Sequence, residues 1–416
     1  MYFPVFVFLA EFYSGSLGLS LGAIGLVFLL VRLFDAVSDP AIGILSDLWP
    51  SGLGRRRFWL ALACPVVMLS VWNLFVPATD AGIVWFSAWL TLLTLGWTIA
   101  LTPYFAWGAE LSGDYTERTR VTTWREALGL VGTVLAAVLY SSAGEDAALG
   151  LQRVAMFIVV TLPVATFLCL WRVPEPRNFT RRRARLSTLM QILTSEQRFR
   201  RLLLAFFING AANGVASALF LFYATHRLDA PGAGGPLLVI YFLCAVVAAP
   251  LWPWATRFLP KHRLWCLAMI YAGLVFSVTA FLGQGDVWWF AAVCVFSGFA
   301  LGADLALPSA MQADLVDIDT ARNETQRTGI FFALWSVVTK AALAVSGGVV
   351  FVTLDALGFD PSGTNGENAL TALALIYGLA PIALKMMAVG LMWNFPMDPE
   401  EVRALRRQIE AMPAQP

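Results

Sequence analysis

The stretch Arg32-Leu-Phe-Asp-Ala-Val-Ser-Asp-Pro40 lies inside an apolar run from about residue 20 to residue 46. That run exceeds the roughly 20 residues a helix needs to cross a bilayer, yet it carries two carboxylates. Asp35 and Asp39 are four positions apart, so on a helix their side chains stand on one face and converge. A carboxylate near the bilayer centre costs at least roughly 2.5 to 3.5 kcal/mol on insertion scales, and two neighbours also repel each other. Such a pair persists only where it binds a cation, shares a proton or faces water. Hard oxygen ligands whose charge demands a counter-ion are the chemistry of a Na+ or H+ site. A structural alternative stays open, in which Asp39 beside Pro40 caps a broken helix and Asp35 pairs with Arg32 one turn earlier.

The rest of the chain has the same apolar character. Of its 416 residues 59% are hydrophobic and only 13% charged, with mean hydropathy +0.71, against roughly 25% charged in an ordinary soluble chain. Lipid is the expected solvent, and helices are the expected spanning element, because every backbone polar group must be satisfied within its own segment. A β-barrel would show short alternating strands instead. Apolar windows predict spans near 2–13, 20–46, 57–77, 82–110, 122–142 and 152–172, then 202–225, 235–257, 263–283, 287–313, 328–353 and 369–394. The expected class is thus an all-α integral membrane protein of about twelve transmembrane helices in two six-helix bundles.

The first span is shortened to about a dozen residues, and neither a basic leader nor a small-residue cleavage pattern marks a removable signal. We therefore expect the genomic sequence upstream of Met1 to encode in frame an apolar extension of about a dozen residues, completing the roughly 20 required. Net charge is +1, which gives no electrostatic reason for a nucleic-acid partner. The five cysteines, Cys64, Cys169, Cys244, Cys266 and Cys294, lie in apolar stretches without metal or disulfide spacing.

Val173-Pro-Glu-Pro-Arg177 through Arg181-Arg-Arg-Ala-Arg185 to Arg201 is the longest polar, basic segment. It divides the chain into a first bundle (1–175), a linker (176–200), a second bundle (201–395) and a tail (396–416). Arg55 to Arg57, Arg118, Arg120, the linker, Arg257, Lys261, Arg263, Arg322, Arg327, Arg403, Arg406 and Arg407 fall on alternate loops or the tail, whereas the opposite loops carry only Arg153 and Arg227. Short cytoplasmic loops retain positive charge, which assigns both termini and the linker to the cytoplasm. A faint repeat relates the halves: Asp39-Pro-Ala-Ile-Gly-Ile-Leu-Ser-Asp47 leads to Arg55-Arg-Arg-Phe-Trp59, and Ala249-Pro-Leu-Trp-Pro-Trp254 leads to Lys261-His-Arg-Leu-Trp265. Parallel six-span repeats of this kind build major facilitator transporters, with the substrate site near the midplane between halves.

Other charges fall within spans. Asp304 in Leu301-Gly-Ala-Asp304 and Lys340 in Trp335-Ser-Val-Val-Thr-Lys340 are both mid-span, and a mutual pair is the cheapest way to hold them, with substrate contact as the functional extension. Lys385 reads as a snorkelling or lone structural lysine. Arg125 and Glu126 point to different faces, with Arg125 either turned to a cavity or snorkelling to the interface. Asp314, Asp317 and Asp319, near Arg322 and Arg327, read as a solvated loop or as an inner gate of ion pairs, with Asp314, Asp317 and Arg322 as its members. Asn209 and Asn213, at helical spacing, serve either the cavity or helix-to-helix hydrogen bonding. His226 and His262 lack metal spacing, and no nucleophile motif, phosphate loop or dinucleotide fingerprint is present.

Over nearly its whole length the chain resembles the glycoside-pentoside-hexuronide:cation symporters, the melibiose-permease-like branch of the major facilitator superfamily. The resemblance rests on Arg32 to Pro40 with Gly43 and Asp47, on Gly54-Arg-Arg-Arg-Phe-Trp59, and on Pro103-Tyr104 through Glu110 to Arg118, Arg120 and Arg125. Met311-Gln-Ala-Asp-Leu-Val-Asp317 and the Lys340 segment extend it to the second half. It implies the major facilitator fold, with Asp35 and Asp39 as cation carboxylates assisted by Thr98, and no metal beyond a Na+ there. It further implies Arg125 as a sugar contact and Lys340 as a cavity lysine, and we place Asp304, Trp97 and Trp335 with them in the substrate set. Two departures stand out: Leu101 occupies the position of a sugar-binding carboxylate, and the first-span carboxylate has no counterpart.

The implied activity is alternating-access symport of a sugar or glycoside with Na+ or H+, by a monomer in a bacterial inner membrane, without any cofactor. Two rivals are carried: a transporter of another solute such as a lysolipid-like amphiphile, and a membrane enzyme using the Asp pair as an acid pair.

Overall fold

The structure, a computed structural model, describes residues 2–48, 51–78, 80–110, 115–144, 146–174, 196–323, 328–361, 363 and 365–397. The expected linker core (175–195) and tail (from 398) lie outside the described residues, as do the side chains of Asp47, Arg118, Arg120, Glu126, Asp317, Arg322 and Arg327. Among the described residues the regular structure is entirely helical, and nine helices are long and apolar enough to cross a membrane.

The first half contains α1 (Tyr2–Gly15), α2 (Leu21–Leu48), α3 (Arg55–Phe75), α4 (Ile83–Glu110), α5 (Tyr115–Ser141) and α6 (Ala147–Arg172). The second contains α7 (Gln197–Phe222), α8 (Gly234–Ala248), the short α9 (Leu251–Ala255), α10 (Lys261–Ser277), α11 (Val287–Asn323), α12 (Thr328–Ala356) and α13 (Glu367–Met392). Among the described residues twelve predicted spans thus meet twelve helical segments, with α8 and α9 forming one broken segment. The break has a simple cause: Pro250 offers no N–H to the ladder, and the residue before a proline is pushed out of the helical region. The fourteen residues of α1 rise only about 21 Å at 1.5 Å each, short of a hydrocarbon core of roughly 30 Å.

Two helices, α5 and α11, exceed their predicted lengths by the most. α5 starts at Tyr115, so Arg118 and Arg120 belong to its first turns rather than to a loop. α11 runs for 37 residues to Asn323, about 55 Å, so the acidic cluster is helical; Asp314 and Asp319 are each only 2% exposed. The solvated-loop reading of these two aspartates is therefore corrected.

The chain divides into two compact units. One is Met1–Arg181 with Pro231–Pro236 and Gly347–Ala369, and the other is Arg182–Ala230, Leu237–Ser346 and Leu370–Pro416. In the first, α3 packs against α4 and α6, and α2 packs against α4. In the second, α10 packs on α11, and Phe199, Trp265, Met269, Met311, Phe331 and Met392 share one core. Lipid tails are as apolar as leucine, so close van der Waals fit and interhelical hydrogen bonds must hold such helices together. Small residues provide the fit: a Cβ at Gly298 of α11 would stand 2.4 Å from the Tyr241 carbonyl oxygen of α8.

Candidate functional site

In the first unit the polar centre lies between α2 and α4. α4 is seated against α3 by Gly96, where a Cβ would meet Val66 Cγ1 at 2.9 Å, and Ile42, Trp59, Ala63 and Ile99 pack together beside it. Asp35 is fully buried and Thr98 is 1% exposed. The Thr98 hydroxyl lies 2.9 Å from Asp35 Oδ1 and 3.0 Å from Asp39 Oδ1. One hydroxyl has one proton, so it donates to one carboxylate at a time while its lone pairs face the same space. Three hard oxygens are gathered at one point, the donor set that an alkali cation or a proton takes.

Arg32 Nη1 approaches the second oxygen of Asp35 at 3.3 Å, with its side chain 6% exposed. Asp35 thus joins Asp39 through Thr98 on one oxygen and meets Arg32 on the other, and α2 runs unbroken through Pro40, so the expected helix break capped by Asp39 is corrected. Ser38 Oγ donates to the Asp35 carbonyl at 3.3 Å, which ties the intervening turn.

In the second unit the expected pairing of Asp304 with Lys340 is corrected. Asp304 Oδ2 is 3.2 Å from Lys385 Nζ of α13 and accepts Asn213 Nδ2 of α7 at 3.0 Å. Its Oδ1 accepts the Trp265 indole N–H of α10 at 2.7 Å. Lys385 in turn donates to Asn209 Oδ1 at 2.8 Å, so it is neither snorkelling nor a lone contact. Four helices meet on one ion pair, and α12, which carries Lys340, contributes nothing to it. Spacing along one chain cannot say which of several helices faces Asp304; only the bundle order does. The asparagines at helical spacing did mark α7's share of the network, whereas Trp265 gave no signal beyond its aromatic size.

The remaining candidates separate. Arg125 of α5 places its guanidinium carbon 4.3 Å from the Phe105 ring centroid of α4, a cation–π contact. Trp335 stacks on Phe206 with centroids 3.9 Å apart. Trp97 and Lys340 are partly buried. Asp314 pairs with Lys261 Nζ at 2.6 Å within the second unit, while its expected gate companions Asp317 and Arg322 lie outside the described side chains. One intramembrane carboxylate escaped the sequence reading: Glu11 of α1 accepts the Tyr140 hydroxyl of α5 at 3.4 Å.

Charged side chains buried at mid-span in a polytopic helical protein are what membrane transporters carry. The chain belongs to the family described as MFS/sugar transport protein, which matches residues 1–399. It is 28% identical to the inner membrane symporter YicJ of Escherichia coli K12 over 399 residues, covering 89% of this chain and 82% of that one. It is 23% identical to the human sodium-dependent lysophosphatidylcholine symporter 1 over 425 residues, covering 92% and 77%. Among solved structures, the nucleoside transporter NupG superposes with a TM-score of 0.67 at 13% identity, covering 94% of this chain and 95% of that one. That likeness shows the major facilitator fold. The protein is a multi-pass membrane transporter of this superfamily.

Proposed function

We propose that the protein is a symporter that couples entry of a monovalent cation, Na+ or H+, to movement of a sugar or glycoside. The observation that carries this reading is the Thr98 hydroxyl within hydrogen-bonding distance of both Asp35 and Asp39. A cation there neutralises repulsion between two carboxylates that the membrane otherwise penalises. Its binding favours the substrate-binding conformation, and coupling requires only that the two states differ in affinity. The family description supports a sugar. Arg125, Lys340, Trp97 and Trp335 are the proposed substrate contacts, the first two as hydrogen-bond donors and the indoles as stacking faces. Asp304 leaves this group, since its oxygens are already engaged by three donors.

The charge distribution supports cytoplasmic termini and a cytoplasmic linker in a bacterial inner membrane, and a monomer is sufficient for the mechanism. Leu101 replaces a carboxylate expected for galactoside binding, and this favours substrates with fewer hydroxyl contacts. A second reading, transport of a lysolipid-like amphiphile, is favoured by the human relative's name and its coverage of 92% of this chain.

Thermal stabilisation of the purified protein by a panel of sugars and lysolipids, each in NaCl and in choline chloride across pH, tests both readings. Cation-dependent stabilisation by a sugar is the expected result. Stabilisation by a lysolipid alone would select the second reading, and ion-independent stabilisation by every active compound would remove symport.

A further inference from the structure

The Asp304 network lies beside a small, partly open cavity lined by residues of the second unit. Its lining includes Asn213, Tyr241, Gly273, Ser297, Asp304 and Lys385, from five helices, and its volume is about 40 Å³, space for one or two waters. None of its lining residues comes from α12. Asp304 and Lys385 side chains are each 10% exposed, Asn209 is 2% exposed and Trp265 fully buried. α11 is opened at this level, because Pro308 lacks the N–H that would otherwise reach the Asp304 carbonyl.

We propose that this is a built monovalent-cation site whose resident cation is the Lys385 ammonium. The carboxylate is fixed by two neutral donors, Trp265 on one oxygen and Asn213 on the other, and neither removes its charge. The ammonium sits between Asp304 Oδ2 and the amide oxygen Asn209 Oδ1, in contact with two hard oxygens, the coordination a small cation seeks. A four-carbon stem brings that charge from α13 and keeps it there at every ion concentration. The Asp304 site is thereby neutral without a free ion, and any ion dependence of the wild-type protein arises elsewhere. This inference concerns residues apart from Asp35 and Asp39 and stands or falls independently of their role.

Truncating the tether should convert the site into one that takes a free cation. Lys385→Ala strands Asp304 and leaves the cavity enlarged by the lost stem, with room for methylammonium, ammonium or Na+. In choline chloride its melting temperature should fall by several degrees. Methylammonium should then raise it with a saturable dependence that wild type lacks, and Na+ should raise it beyond any response wild type shows through Asp35 and Asp39. The double variant Asp304→Asn/Lys385→Ala should melt above Lys385→Ala and respond to these cations no more than wild type does. If Lys385→Ala cannot be recovered folded, Lys385→Gln, which keeps an N–H donor but no charge, carries the same comparison. The proposal is overturned if the single variant responds to cations no more than wild type, or if adding Asp304→Asn gives no recovery.

Discussion

Trp265 donates its indole N–H to Asp304 across 2.7 Å, from a side chain with no solvent exposure. A hydrogen bond to a buried carboxylate contributes roughly 1.5 to 3 kcal/mol, because losing the donor leaves a buried charge less compensated. Trp265→Phe keeps most of the ring in the core and deletes the donor. We expect it to destabilise by about 2 kcal/mol, and to cost clearly less when Asp304 is already Asn. Equal losses in both backgrounds, measured as denaturation free energies in detergent, would show that the effect is packing alone.

The number and order of the helices were legible because lipid imposes one rule on every segment. Arg32 to Pro40 also disclosed its own geometry, since Asp35 and Asp39 share a helix and their spacing fixes their common face. Thr98 entered through family resemblance, and the structure places it against both carboxylates. The second unit's network was illegible for the opposite reason. Asp304, Lys385, Asn213 and Trp265 come from four helices, and helix order around a bundle is not a local property. Lys340, closer in sequence to Asp304, looked the better partner, but the bundle presents α13 rather than α12. The run of α11 past residue 313 was hidden by its acidic residues, which read as loop but are buried against partners such as Lys261.

Glycine substitutions separate close helix contact from propensity. At Gly298 a methyl would press on the Tyr241 carbonyl at 2.4 Å, and backbone cannot yield as a flexible side chain can. Gly298→Ala should destabilise by roughly 1 to 3 kcal/mol, the usual cost of overpacking. Gly390 of α13 has nothing within 4 Å of the same methyl. There alanine should be neutral or stabilising, by up to about 1 kcal/mol, through helix propensity. Melting temperatures that move together in the two variants would contradict the packing of α11 on α8.

The Lys261–Asp314 pair joins α10 to α11 at 2.6 Å, with the lysine side chain 28% exposed and the aspartate 3%. The partial exposure weakens the pair through solvent screening, while burial of the carboxylate raises the cost of losing its partner. Lys261→Met should therefore cost about 1 kcal/mol, less in high salt than in low salt. If instead the loss is unchanged by salt and the transport rate collapses while stability holds, the pair belongs to a gate rather than to the fold.

The last prediction concerns Asp35 and Asp39, which the proposed coupling uses together but the fold uses differently. Asp35 is fully buried and meets Arg32 at 3.3 Å, so Asp35→Asn leaves a guanidinium, itself 6% exposed, with a weaker partner. Removing one member of a buried pair costs up to roughly 3 to 5 kcal/mol, and the remaining amide oxygen offsets part of that. Asp39→Asn keeps an oxygen for Thr98 and relieves repulsion between the carboxylates, so its stability should equal or exceed that of Asp35→Asn. Transport should not follow this order. Both substitutions remove a charge that the cation must balance, so gradient-driven accumulation should fall to the level without a gradient in each. Thr98→Val keeps the shape and deletes one neutral ligand, and should weaken the cation by about tenfold, equivalent to 1.4 kcal/mol, leaving accumulation recoverable at high ion concentration. The measurements are ion-dependent uptake into proteoliposomes and the melting temperature of each variant. Full gradient-driven accumulation in Asp39→Asn would falsify the coupling role and leave Asp39 as a structural partner of Thr98.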